Sequence, residues 1–166
     1  MDGILTSRAK IVAFYGITAN VEDSPTTTYH RMQGFTSLTT SKNPKEYTRQ
    51  YVDEEFEQTD VVGYSPSIAY TFDRYDGNEV HEDIARITNG ELTGNDALVD
   101  ILVVDTTQTT GNAVKRTYAV IPDSEGDSMD AYTYSGNFKV KGDKVKGTAT
   151  VAENGMTATF TEGAGA

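Results

Sequence analysis

Apolar and polar residues alternate along most of this chain, and the alternation breaks into a helical pattern only once. From Tyr64 to Gly90 the sequence reads YSPSIAYTFDRYDGNEVHEDIARITNG. Ile68, Tyr70 and Phe72 share one face of a strand, with Ala69, Thr71 and Asp73 on the other, the period of two of a half-buried strand. Asp76-Gly77-Asn78 predicts a turn. Val80, Ile84 and Ile87 then recur at spacings of four and three, which predicts one amphipathic helix over about 78–89. Asp76 or Asn78 can cap it, Glu79, Glu82 and Asp83 suit the positive end of its dipole, and Gly90 ends it.

Everything else reads as β-structure. A short strand is expected at 11–15, with Ile11, Ala13 and Tyr15 on one face and Val12 and Phe14 on the other. Residues 16–28 are polar, include Ser24-Pro25, and read as a loop. Residues 29–40 form a plausible strand interrupted at Gly34. Residues 41–63 are weakly patterned and set Tyr47 and Tyr51 among charges; a projecting loop or hairpin fits them best, and long excursions of this kind are usually functional or disordered. Ala97 to Asp105 is the most apolar stretch and predicts a central strand buried on both faces. A turn at 109–112 leads to a strand over 113–122 and an acidic loop over 123–130. Residues 132–141 alternate most cleanly, with Tyr132, Tyr134, Phe138 and Val140 facing one way. Turns at Gly142-Asp143 and Asn154-Gly155 then predict a three-stranded meander, the latter being a strong hairpin signal. Residues 1–9 read as an N-terminal arm and 162–166 as a flexible tail. No fixed-period repeat or linker divides the 166 residues, so one mainly-β domain is expected, sandwich-like or barrel-like, with one flanking helix.

Charge and composition narrow the function. The net charge of −11 repels nucleic acid and anionic membranes. The absence of cysteine excludes a disulfide framework, a thiolate metal site and a cysteine nucleophile. The start, MDGILTSRAK, lacks an apolar segment of signal-peptide length, and the longest aliphatic run is Ile101 to Val104, too short to span a membrane as a helix.

No catalytic constellation emerges. HExxH, Gly-x-Ser-x-Gly, Walker and dinucleotide patterns are missing from the sequence. His81 falls off the apolar stripe of the helix and reads as a solvated surface residue. The loop DSEGDSMD gathers Asp123, Glu125, Asp127 and Asp130, but Gly126 falls too early and no Glu closes the loop, so solvated charge is preferred to a calcium site. The run Asp53-Glu54-Glu55 with Glu57 and Asp60 reads as surface charge. Arg49, Lys115, Arg116, Lys139, Lys141, Lys144 and Lys146 are scattered among acids and form no nucleic-acid stripe. No catalytic, cofactor-binding or metal-binding residue is assigned.

Three stretches, TDVVGYSPSIAYTFDRY (59–75), GNEVHEDIARI (77–87) and KRTYAVIPDSEGDSMDAYTYSGNFKVKG (115–142), resemble in their order the major tail tube protein of long-tailed bacteriophages that infect Gram-positive bacteria. The resemblance implies a sandwich or barrel-like protomer with a flanking helix. It implies hexameric rings stacked into a hollow tube, with inner strands joined into one barrel around passing DNA. It further implies a virion location after assembly in the host cytoplasm. The partners it implies are other copies of the chain, the tape measure, the tail terminator and the distal tail protein, with no cofactor and no membrane. A contractile tail or a phage-derived bacteriocin tube is a close variant. In this frame the 41–63 excursion becomes the contact between stacked rings, with Tyr47, Tyr51 and Phe56 as candidate apolar anchors; the alternative for those three is ordinary packing under their own loop. The alternative is a monomeric β-sandwich ligand-binding module, for example for carbohydrate.

Overall fold

A computed structural model describes residues 3–126 and 129–163. It holds eleven strands and one α-helix. The strands are β1 (Ile11–Val21), β2 (Ser24–Arg31), β3 (Phe35–Ser41), β4 (Pro44–Arg49), β5 (Gln58–Tyr64), β6 (Ser67–Asp73), β7 (Leu98–Asp105), β8 (Ala113–Glu125), β9 (Thr133–Val140), β10 (Val145–Val151) and β11 (Thr157–Glu162), and the helix α1 (Glu79–Asn89) falls between β6 and β7. Nine strands form one antiparallel sheet in the order β10-β11-β2-β1-β7-β8-β9-β6-β3. β4 and β5 pair only with each other.

The long strand β8 gives the sheet its shape. One of its edges runs along β7, from Ala113 to Ala119. The other edge is shared: Ala113 to Lys115 pair with β10, and Tyr118 to Glu125 pair with β9. The β10 pairing closes β10, β11, β2, β1, β7 and β8 into a ring. A ring this small has no lumen and must be filled by side chains. Phe14, Tyr29, Leu102, Val104, Ala113, Ala149 and Ala158 fill it. The small residues fit its tight wall: a Cβ on Gly147 would lie 2.3 Å from the Thr161 carbonyl oxygen.

The same strands β1 and β7 carry a second core on their opposite face. Tyr15, Ile101, Ile68, Phe72, Tyr134 and Phe138 pack there beneath α1, which contributes Val80, Ile84 and Ile87. Adjacent residues Phe14 and Tyr15 are therefore both fully buried, each in a different core. That explains why β7, fifth of the nine strands, is apolar on both faces. The helix begins as its sequence dictates. The Asn78 side chain accepts from the backbone N–H groups of Val80 and His81, and the Gly90 N–H donates to Arg86. The Tyr15 hydroxyl donates to Asp83 at 2.5 Å, tying helix to sheet. Burial and then the Asp83 charge push the Tyr15 pKa far above its ordinary value.

Five expectations are corrected. The stretch 16–28 is not a loop: β1 and β2 form a hairpin through it, turning at Glu22 and Asp23 with φ of 50° and 64°. Its Thr-rich strands are exposed toward the tip, so no apolar alternation marks them. The strand at 29–40 is two strands broken at Gly34, whose φ is 75°. The C-terminal meander does not form. β10 pairs with β11 as the Asn154-Gly155 turn predicts, but β9 lies between β8 and β6. Alternation reports which face of a strand is buried, not which strand lies beside it. The strand β8 also runs on to Glu125, beyond the expected start of the acidic loop, and Asp127 lies outside the described residues.

The fifth correction is His81, which is fully buried. Its Nδ1 accepts from the Tyr75 backbone N–H at 3.1 Å, so the proton sits on Nε2, which donates to the Gln33 carbonyl at 2.6 Å. The ring stacks on Phe72 with centroids 4.5 Å apart. Burial, the largest effect, lowers the His81 pKa below its ordinary value. This histidine locks the β2–β3 turn and the β6–α1 connection to the helix.

Candidate assembly surfaces

The hairpin β4–β5 lies outside both cores. Its register pairs Tyr47 with Asp60 and Arg49 with Gln58 on one face, and Thr48 with Thr59 on the other. The Thr48 and Thr59 hydroxyls meet at 3.0 Å. Both outer edges of this two-stranded sheet lack a strand partner among the described residues. The hairpin and its root carry a dense set of exposed large apolar side chains: Tyr47, Tyr51, Val52, Phe56, Val61, Val62 and Tyr64.

The three candidate anchors divide into two environments. Tyr47 and Tyr51 share one cation, since the Arg49 guanidinium lies 5.2 Å from the Tyr47 ring centroid and 5.6 Å from that of Tyr51. Arg49 also donates from Nε to the Tyr51 hydroxyl at 3.1 Å and forms a 2.6 Å ion pair with Asp60. These partners, the Tyr51 hydroxyl first, raise the Arg49 pKa above its ordinary value. Tyr47 and Tyr51 keep 56% and 49% of their surface exposed. Phe56 stands apart at the tip with 78% exposed. It is flanked by Asp53, Glu54, Glu55 and Glu57, so the tip is both apolar and strongly acidic. Gln58 closes this turn by donating to the Glu54 carboxylate.

Sequence reasoning singled out Tyr47, Tyr51 and Phe56 but missed Arg49, the residue that organises two of them, because it reads as one more solvated cation. It also passed over Val52. The signal was present: aromatic residues two positions either side of an arginine share its face of an extended chain.

Further unpaired edges lie on the main sheet. β3 is terminal, with only β6 beside it, and β11 pairs with β2 only at Tyr29 and His30. Such edges invite pairing with another chain. Among the described residues no group of three or more His, Cys, Asp or Glu is placed to hold a metal ion, and no helix is long and apolar enough to cross a membrane.

No protein-family model matches the chain, and no curated protein matches it. Its fold is similar to that of a chain in the tail of an empty gene transfer agent particle with C6 symmetry. That match has a TM-score of 0.61 and 10% identity, covering 86% of this chain and 98% of the other. A chain in the virion of the native gene transfer agent particle is similar at a TM-score of 0.58 and 10% identity, again covering 86% of this chain and 98% of the other. At this identity the likeness is one of fold, a mainly-β protomer with one flanking helix.

Proposed function

We propose that this chain is a structural virion protein that assembles with itself into a hollow tail tube and carries out no catalysis. The observation that carries this reading is the hairpin of residues 44–64, which holds apolar and aromatic surface outside the cores of a tail-tube-like fold. A patch of this kind on a monomer marks an interaction surface. Among the described residues these side chains join neither core.

In the proposed assembly six copies form a ring and rings stack. The hairpin meets the next ring through Tyr47, Tyr51 and Phe56, a head-to-tail contact that grows a filament rather than closing a dimer. Unpaired sheet edges join between neighbours into a continuous barrel, which removes the aggregation hazard of each edge. The net charge of −11 keeps DNA from adhering as it passes. The finer assignment is the major tail tube protein of a long-tailed phage of Gram-positive bacteria, assembled in the host cytoplasm. Its partners would be the tape measure, tail terminator and distal tail proteins. The sequence resemblance supports that assignment.

Negative-stain electron microscopy of the concentrated protein tests the proposal. Hollow tubes of uniform width with a regular axial repeat are expected. A protein that sediments only as monomer at high concentration and binds a glycan overturns the reading in favour of a monomeric ligand-binding module.

A further inference from the structure

The second core is not fully covered by α1. Beyond the helix, β3 and the start of β1 face each other across an open groove. Two adjoining hollows of about 410 Å³ each lie there and share Ile11, Thr40, Ile68, Ile101 and Val103. The floor is therefore aliphatic. The rim is cationic: Arg8 lines one hollow, and Lys42, Arg116 and Lys144 line the other. In a chain with 14 basic and 25 acidic residues, four cations around one apolar groove are a local reversal of sign. Asp105 and Asp143 lie beside them, yet none of the four is in an ion pair among the described residues.

The hairpin tip has the opposite character. Residues 50–57 present exposed Val52 and Phe56 between Asp53, Glu54, Glu55 and Glu57. We infer that the groove is the socket for the hairpin tip of a second copy of this chain. Phe56 enters the aliphatic floor, and the tip carboxylates meet Arg8, Lys42 and Lys144 at the rim. The tip is not held in its own groove. Its strands leave the fold at the groove's edge, where Lys42 and Pro66 stand, and six paired positions carry the tip roughly 20 Å away. Tip and socket are different patches, so the contact is heterologous and suits an open or ring-closing assembly. Charge complementarity at the rim steers the encounter and fixes the register, while the buried ring supplies the anchor.

The inference rests on the self-assembly reading and names the receptor for its hairpin. Two measurements separate it from that reading. In the first, Lys42→Glu/Lys144→Glu and Glu54→Lys/Glu55→Lys are each expected to raise the critical concentration for assembly by about tenfold. All four changes combined in one chain reverse both signs of the tip-to-socket contacts they make, and that chain is expected to return to within about threefold of the parent. All four positions are exposed, so each variant should melt with the parent. In the second, Phe56→Cys and Thr40→Cys chains are mixed and oxidised. The chain has no native cysteine, so a heterodimer reports tip-in-groove contact whether or not tubes form. Heterodimer together with charge-swap rescue supports the socket. Tubes without either overturn the socket and leave the tube reading intact. Heterodimer without tubes keeps the socket and removes the tube, and neither tubes nor heterodimer removes both. A cross-link to the groove from a Leu5→Cys chain in place of Phe56→Cys overturns the proposed occupant.

Discussion

Replacing His81 with leucine tests how the helix is fixed to the rest of the fold. Leucine keeps an apolar side chain in a fully buried site. It removes the acceptor for the Tyr75 N–H and the donor to the Gln33 carbonyl. A buried backbone group left unpaired costs about 1–3 kcal/mol, and since both of these bonds are only part-buried, the pair costs about 1–3. Losing the stack on Phe72 adds about 0.5–1.5 kcal/mol. Together these give an expected loss of about 2–4 kcal/mol, a large share of the roughly 5–15 kcal/mol of a typical domain. Urea unfolding of the monomer measures it, with the slope unchanged and the midpoint lowered.

The same variant carries a pH test whose sign is fixed. The folded pKa of His81 lies below its ordinary 6.5, chiefly through burial, with the hydrogen bond to the Gln33 carbonyl opposing, Arg74 lowering it further and Asp73 opposing. Below pH 6.5 the unfolded chain therefore binds a proton that the folded chain refuses. Wild-type stability then falls as pH drops, by at most about 1.4 kcal/mol per pH unit, until the folded pKa is reached. Above pH 6.5 the contribution is fully present. The leucine variant has no such group, so its deficit against wild type narrows on acidification, and carboxylate effects common to both cancel. A deficit under about 1 kcal/mol at neutral pH, or one that stays constant or grows in acid, refutes the reasoning.

Asn112 is buried and bonds both backbone groups of Ala149, so Asn112→Ala should cost about 2–4 kcal/mol in chemical unfolding by detaching the β7–β8 turn from β10. At Gly136 an added Cβ would lie 2.5 Å from the Ile121 carbonyl oxygen and 2.7 Å from the Tyr70 hydroxyl. Gly136→Ala should therefore destabilise by about 1–3 kcal/mol, read as a lowered Tm, with Ser larger in effect than Ala. Arg49→Ala should change stability by less than about 1 kcal/mol, because its partner Asp60 is exposed and Arg49 belongs to neither core, while weakening assembly in sedimentation more than its melting temperature suggests.

The helix and the central strand were legible for one physical reason: both bury surface against their own chain. Val80, Ile84 and Ile87 fall on one stripe because that stripe meets the second core. Residues 98–104 are apolar on both faces because a core lies on each side. His81 was misread because its polarity was taken for exposure. Its two ring nitrogens are satisfied by backbone groups from Gln33 and Tyr75, 48 and 6 residues away, and nothing local in the sequence announces either. The strand neighbours were hidden for a related reason. β9 alternates as cleanly as any strand, yet its partners β6 and β8 are chosen by how the sheet curls and by β8 sharing one edge between two strands.

The polar strands were illegible because their alternation has no inner layer to report. β4 is exposed along nearly its whole length, as is β5. An isolated two-stranded hairpin is marginal in water. Here it is held by its ladder, the Thr48–Thr59 contact and the Arg49 clamp. None of these buries Val52, Phe56, Val61 or Tyr64. A monomer would gain solubility by replacing those four with polar residues and would lose no core. Their presence beside an acidic tip, with an aliphatic groove ringed by cations elsewhere on the same chain, fits the proposal that the next copy supplies the hydrophobic layer missing from this hairpin.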